Sequence, residues 1–305
     1  MAISAAATFE ARHALEEARE RVDALLRAWS ERIQTIVPGR TGEALAYALN
    51  TPGKRVRAAL VIASYRAVGG GSPAIAAVAA AVETVHAYSL VHDDLPCMDD
   101  DDLRRGRPTT HRAYDVPTAT RVGYLLVPVA ALVLSQAARD LVLPAPTLGR
   151  MAAELFESGG IRGMVGGQWL DLEAERQRLD LQGLVAVHRG KTGALIRAAC
   201  VLGAMAVEAP PASVAALAGY GSEAGLAFQV ADDVLDVTAT SDQLGKTAGR
   251  DAALEKSTYV SVLGGEQARA EAAAMAARAV GHLEAAGIPP GPLAALAQYI
   301  ISRES

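Results

Sequence analysis

Nearly every stretch of this chain repeats its apolar residues at a helical period, and that pattern leaves room for little except packed helices. Residues 11–36 show it first: Leu15, Ala18, Val22, Leu25, Leu26 and Trp29 form one stripe between charges. Pro38, Gly39 and Gly53 punctuate the next stretch. The period predicts further helices over residues 54–68 and 73–95, divided by Gly69-Gly70-Gly71-Ser72, with Pro73 at a first helical position. Later helices are expected over 118–143, 147–158, 181–205, 212–237, 266–286 and 292–302. Composition agrees, since 51% of the 305 residues are hydrophobic and only 4% aromatic, so Ala, Leu and Val carry the apolar surface. No strand pattern, fixed-period repeat or low-complexity linker interrupts the series. The expected fold is all-α, a single-domain bundle over residues 1–305 of about ten or more helices.

The net charge of −5 and pI of about 5.7 exclude the broad positive field of a nucleic-acid or acidic-membrane binder. Local basic residues are therefore the more informative. Cys97 and Cys200 lie far apart without metal-ligand spacing, the pattern of a reduced, cytoplasmic protein. The N-terminus lacks a basic start followed by an apolar run, so no signal peptide is expected. The most apolar window, 122–138, contains Pro128 and Gln136 and falls short of the roughly 20 apolar residues of a membrane span. A buried helix is expected there, with no stable membrane insertion.

Chemistry enters where acids collect. Asp93, Asp94 and Asp99 to Asp102 place six aspartates within ten residues, and Arg104 and Arg105 come directly after. Asp232, Asp233 and Asp236 lie inside the apolar string LAFQVADDVLDV, where Asp232 and Asp236 share one helix face. Carboxylates stacked in apolar surroundings repel one another unless a cation sits between them. Asp93 and Asp99 are about 240° apart around an ideal helix, so a straight helix cannot aim both at one point. Pro96 supplies a break. The expectation is a helix ending near Leu95, with Asp99 returned beside Asp93, while Asp100 to Asp102 alone read as a solvated acidic loop. Hard oxygen donors select Mg²⁺ or Ca²⁺. Carboxylates beside cationic side chains suit a diphosphate held through metal on one side and by cations on the other. The acidic run lacks the glycine of an EF-hand loop. The GKT strings at 190–192 and 245–247 have Val185 and Thr240 where a P-loop needs its earlier glycine, so neither is a nucleotide site.

HAYSLVHDDLPCMDDDDLRRGRPTTH and FQVADDVLDV are accompanied by GKRVR (53–57), GGQWLDLEAE (166–175), HRGKTGALI (188–196), LGK (244–246) and EKSTY (255–259). Together these strings resemble the trans-prenyltransferases, or polyprenyl synthases, and among them the bacterial farnesyl diphosphate synthases, over residues 26–303. The resemblance implies an isoprenoid-synthase bundle around a central apolar cavity. It implies condensation of isopentenyl diphosphate with dimethylallyl and then geranyl diphosphate, giving farnesyl diphosphate. It also implies about three Mg²⁺ ions per site, held by Asp93, Asp99 and Asp232 with Asp94, Asp233 and Asp236 in support. Arg104, Lys191 and Lys246, helped by Thr192 and Gln229, would hold the allylic diphosphate or the charge developing beside it. Gly53, Lys54, Arg57, His86 and Arg105 would form the metal-free isopentenyl diphosphate pocket. Tyr88, with Ser89, would floor the cavity and stop growth at farnesyl. A homodimer is implied by the resemblance alone.

Taken singly, Lys54 and Arg57 also suit a solvated helix surface, His86 and Gln229 a bonded buried polar group, and Tyr88 ordinary packing; only their joint pattern favours the site. The chain departs from the resemblance at Glu255, where relatives often carry Gly, at Val260, where they often carry Pro, and in ending after Arg303 without a further lysine. A geranyl or geranylgeranyl product is the nearest alternative. A terpene cyclase would lack the paired residues Lys54, Arg57 and Arg105. An HD-type phosphohydrolase would need metal histidines that the six present do not supply. A non-catalytic partner subunit would carry a degraded aspartate motif.

Overall fold

The computed structural model describes residues 5–174, 178–238 and 257–302. Its elements run α1 (Ala5–Ile36), α2 (Arg40–Leu49), α3 (Val56–Ala67), α4 (Ile75–Asp93), β1 (Leu103–Arg104), β2 (Arg107–Pro108), α5 (Thr110–Ala113) and α6 (Val116–Asp140). They continue with α7 (Ala145–Gly159), α8 (Met164–Glu173), α9 (Leu181–His188), a π-helical turn (Arg189–Gly193), α10 (Ala194–Met205), α11 (Pro211–Thr238), α12 (Tyr259–Leu263), α13 (Gly265–Ala285) and α14 (Gly291–Ser302). The all-α expectation holds, apart from one hairpin of two-residue strands among the described residues.

Burial follows the sequence pattern. On α1 the buried residues Ala11, Leu15, Ala18, Val22, Leu26, Ser30 and Ile33 form the single stripe of a helix lying on the outside, against α2, α3, α4 and α14. By contrast, α4 is buried without a break from Ile75 to Val85, with Glu83 and Thr84 among its buried residues, and α10 is nearly so, because apolar residues occupy almost every face of both. They occupy the middle of the bundle: α4 packs on α3 and α6, and α10 on α3, α7 and α11. One contiguous set of buried side chains runs from Leu15 to Ile300. Two helices, α4 and α6, are long and apolar enough to cross a bilayer on length and composition alone, but 78% of the most apolar window of α4 is buried inside the fold.

Several boundaries differ from the sequence reading, each for a local reason. The helix expected from residue 54 starts at Val56, because Arg55 adopts a left-handed φ of 54°. Pro73 lies in the turn before α4 rather than at its first position. The single helix expected over 181–205 is two helices joined by the π turn. Two ten-residue helices are absent from the expectation: α2, in a stretch that Pro38, Gly39 and Gly53 mark as punctuated, and α8, whose Gly166 and Gly167 depress helix propensity. α6 begins two residues early because Asp115 caps it, its side chain accepting from Thr118 N at 2.7 Å, with Pro117 in the first turn.

Candidate active site

The end of α4 delivers the first acidic pair. After Asp93 the chain doubles back, with Asp99 N donating to the Asp93 carbonyl at 2.8 Å and Asp100 N to that of Leu95 at 3.1 Å. Asp100 accepts the positive φ, 49°, that the return demands. The sequence expectation of a helix ending here with Asp99 folded beside Asp93 is met. The Asp93 carboxyl is pushed up to about 7, chiefly by burial and also by Asp99 and Asp94, against the pull of Lys191 and Arg104. A carboxyl in that condition has too little positive charge around it. A divalent cation shared with Asp99 would return it to the ionised form.

Asp94, one residue on, is engaged elsewhere. It is buried and accepts from Arg104 Nε at 2.9 Å, while Arg104 also reaches Asp101 Oδ2 at 2.7 Å. The arginine expected on the allylic diphosphate is thus tied to the acidic loop itself. It is presented by the hairpin, whose two-residue connection, Arg105 and Gly106, has φ values of 54° and 73°. Positive φ at both central residues is the twist-matched hairpin turn. Its signal in the sequence is Gly106 flanked by Arg, Leu and Pro, too short a run to read as strands.

On the far side of the hairpin, Arg105 donates to the Pro52 carbonyl at 2.8 Å. Gly53 leaves room for that reach, since a Cβ there would stand 2.3 Å from an Arg105 guanidinium nitrogen. Both Arg57, at 3.3 Å, and Arg105, at 3.4 Å, meet His86 Nε2. Two guanidiniums can only donate, so Nε2 is the acceptor and the imidazole is neutral. Burial, then Arg57 and Arg105, hold its pKa well below the usual histidine value. Arg107 stacks on Tyr47 at 4.2 Å, and the Tyr47 hydroxyl donates to the Pro108 carbonyl at 2.6 Å, fixing the hairpin to α2. Tyr47, Thr51, His86, Arg104, Arg105 and Arg107 line one cavity. Lys54 is exposed and Arg57 half-buried.

The second cluster stands on α11. Asp233 is buried and divided between two partners: Gln229 Nε2 at 3.1 Å and the backbone N of Tyr259 at 2.8 Å, which anchors α12. Gln229 in turn accepts from Thr192 Oγ1 at 2.9 Å. Asp236 is buried and Asp232 half-buried. Between the two clusters lies the π turn. Lys191 Nζ donates to Asp171 Oδ2 at 2.7 Å. Burial disfavours its charge, yet Asp171, Asp99 and Asp93 outweigh that and hold its pKa above the ordinary lysine value. His188, just before the turn, is kept neutral, its pKa lowered to about 4 by burial, with Asp171 and Asp232 opposing and Lys191 assisting.

Bare backbone makes this junction possible. A Cβ on Gly167 would stand 1.9 Å from Lys191 N, one on Gly190 2.8 Å from Gly167 Cα, and one on Gly225 2.8 Å from Gly193 Cα. Glycine on α8, the π turn and α11 therefore lets three segments meet at Lys191. Asp171 has no role in the sequence reading, although it lies within the string GGQWLDLEAE. A carboxylate between Leu170 and Leu172 on an apolar helix is the available signal, the same one that marks Asp232.

Tyr88 is half-buried with its ring edge on His92, centroids 5.1 Å apart, and Ser89 Oγ donates to the His86 carbonyl at 2.9 Å. Lys246, with the neighbouring Leu244 and Gly245, Glu255 and Arg303, lies outside the described residues; Val260 is half-buried on α12. Among the described residues no three His, Cys, Asp or Glu side chains form a ready-made metal cage. The all-oxygen donors suit an ion that takes few protein ligands and completes its shell with substrate phosphates.

The sequence profile of the polyprenyl synthetase family matches residues 39–286. The chain belongs to this family. It is 44% identical over 265 residues to the farnesyl diphosphate synthase of Escherichia coli K12, covering 86% of this chain and 88% of that protein. The polyprenyl synthetase fold is equally clear in solved structures. A farnesyl/geranylfarnesyl diphosphate synthase from Zymomonas mobilis superposes with a TM-score of 0.83 at 32% identity, over 97% of this chain and 100% of that one. A Helicobacter pylori geranyltransferase, solved with magnesium and isoprenyl diphosphate, gives 0.75 at 31% identity over 92% and 96%.

Proposed function

We propose that this polyprenyl synthetase condenses isopentenyl diphosphate with dimethylallyl and then geranyl diphosphate and releases farnesyl diphosphate. The observation that carries the reading is the pair of unlike anion sites. In one, Asp93 and Asp99 act on Lys191, with Asp232 and Asp236 on α11; in the other, Arg57 and Arg105 converge on a neutral His86. The first suits a diphosphate that must leave, the second one that must stay.

Asp93 and Asp99, with Asp232 and Asp236, would hold magnesium. Bound with the allylic diphosphate, it supplies Lewis-acid charge that makes the diphosphate a better leaving group. Lys191, kept charged by Asp171, adds fixed positive charge for the oxygens released as the allylic C–O bond breaks. Thr192, aligned through Gln229 and Asp233, offers a hydroxyl beside it. Arg57 and Arg105 hold isopentenyl diphosphate so that its double bond attacks the allylic carbon. The positive charge moves to the methyl-bearing carbon of the isopentenyl unit, and a proton then passes from the methylene beside that carbon to the departed diphosphate, leaving the new double bond. Apolar helices around the growing chain exclude water, which would otherwise capture the cation. Tyr88 stops growth at farnesyl, and the molecule works as a homodimer, for which the exposed Tyr124 and Leu132 on α6 offer an apolar face.

The test is product analysis after incubation with dimethylallyl diphosphate, isopentenyl diphosphate and Mg²⁺, beside a chelated control. Farnesyl diphosphate is expected, only with metal. A geranyl or geranylgeranyl product would retain the reaction and remove the Tyr88 stop. Folded protein that forms no condensation product would refute the reading.

A further inference from the structure

Arg55 sits between two residues of the metal-free pocket, Lys54 and Arg57, yet cannot act as they do, because its guanidinium is already used. Only 6% of the residue is exposed. Nε donates to Asp23 Oδ1 on α1 at 2.7 Å, one terminal nitrogen to Glu83 Oε2 on α4 at 3.1 Å, and the other to the Thr51 carbonyl at 3.2 Å. The second Glu83 oxygen accepts from Ala58 N at 3.2 Å, satisfying a donor of the first turn of α3. One cation and one buried carboxylate thus tie together α1, α4, the end of α2 and the start of α3.

The backbone says what the ties are for. A residue with a Cβ is disfavoured in the left-handed region, and such a conformation persists only where its surroundings over-determine it. At φ 54°, Arg55 stops α3 from extending backwards through Lys54. Relaxed to the right-handed region, residues 54 and 55 would join α3, and Lys54 would point where a helix dictates. Glu83 lies one turn before His86 on α4, so the same network sets the distance between the loop and the histidine on which Arg57 and Arg105 converge.

We propose that Arg55 is a positioning residue of the metal-free pocket: locked by Asp23 and Glu83, it holds the left-handed turn from which Lys54 and Arg57 engage the diphosphate. The proposal rests on the assignment of that pocket to isopentenyl diphosphate. It differs from a purely structural role in what it predicts for the two substrates.

The variants are Glu83→Gln and the charge-neutral pair Arg55→Gln/Glu83→Gln, the latter leaving no buried unpaired charge between α3 and α4. Thermal midpoints establish that both fold. Calorimetry with isopentenyl diphosphate alone, without metal, and steady-state kinetics with geranyl diphosphate and Mg²⁺ supply the readouts. The expected result is a tenfold or greater loss of isopentenyl diphosphate affinity and a matching rise in its KM in the neutral pair. The KM for geranyl diphosphate should stay within twofold. A folded neutral pair whose KM for isopentenyl diphosphate is unchanged would overturn the proposal, as would equal rises for both substrates. Wild-type protein that binds no isopentenyl diphosphate would instead overturn the pocket assignment beneath it.

Discussion

Gly167→Ala tests whether the closeness of α8 to the π turn is what sets up Lys191. The new Cβ would sit 1.9 Å from Lys191 N and 2.5 Å from Gly190 C, where ordinary contact begins at 3.4 Å. Both neighbours are backbone, so no side chain can swing aside, and α8 must retreat by about 1.5 Å to restore van der Waals distance. The same helix carries Asp171, whose 2.7 Å bond to Lys191 would open toward about 4 Å, beyond hydrogen-bonding range. Overpacking costs roughly 1–3 kcal/mol, and losing a charge-assisted bond roughly 1.5–3 kcal/mol more. About 4 kcal/mol is the central expectation for stability, a thermal midpoint lowered by ~2–4 °C per kcal/mol. Catalysis should suffer further, because misplacing a catalytic group by an ångström costs on the order of 10²-fold. Steady-state kcat with geranyl diphosphate and a melting curve read the two effects. Gly281→Ala is the control, since nothing lies within 4 Å of its Cβ position on α13, and alanine there should stabilise slightly. A Gly167→Ala protein with wild-type kcat and midpoint would refute the argument that close backbone approach places Lys191.

Asp93→Ala and Asp232→Ala should each lower kcat by more than about 100-fold while leaving the melting point largely intact; near-normal turnover in either would end the metal assignment. Tyr88→Ala should lengthen the products, read by chromatography after dephosphorylation, and an unchanged product profile would discard its role as the stop. His188 gives a pH signature: its folded pKa of about 4 lies below the unfolded value near 6.5, so the unfolded chain binds the extra proton between them. Its contribution, roughly 3 kcal/mol, is therefore complete above pH 6.5 and lost as pH falls toward 4. In His188→Gln the denaturation free energy should fall less steeply across that interval, and parallel curves would contradict the assignment.

Much of this molecule is legible in its residues wherever a pattern has one physical meaning. The stripe of α1 and the apolar period over residues 73–95 mark both as helices, while the central place of α4 is added by the fold. The fold-back of Asp99 onto Asp93 is dictated by a six-residue spacing that a straight helix cannot use. The features that escape depend on contacts between distant segments. Glycines 166 and 167 weaken the signal of α8, and the bareness of Gly167 serves contact with Gly190 and Lys191, more than twenty residues away. The π turn has no local signature at all. Asp94 and Arg104 look like their neighbours as ligand residues, but only the fold turns them toward each other. Arg55 is the same lesson reversed: nothing local marks one cation of GKRVR as buried.

The hairpin after the acidic loop has a consequence for how this enzyme can change. Arg104 and Arg105 are adjacent, yet one meets Asp94 and the other His86, because Arg104 ends strand β1 while Arg105, at φ 54°, already stands on the left-handed turn. On the proposed assignment, two substrates would be addressed from consecutive codons. Deleting or inserting a single residue between Asp99 and Arg104 would shift the hairpin against the acidic loop and break the pairing of Arg104 with Asp94 and Asp101. That segment should tolerate substitutions far better than any change of length, and a library that varies its length should return almost no active clones.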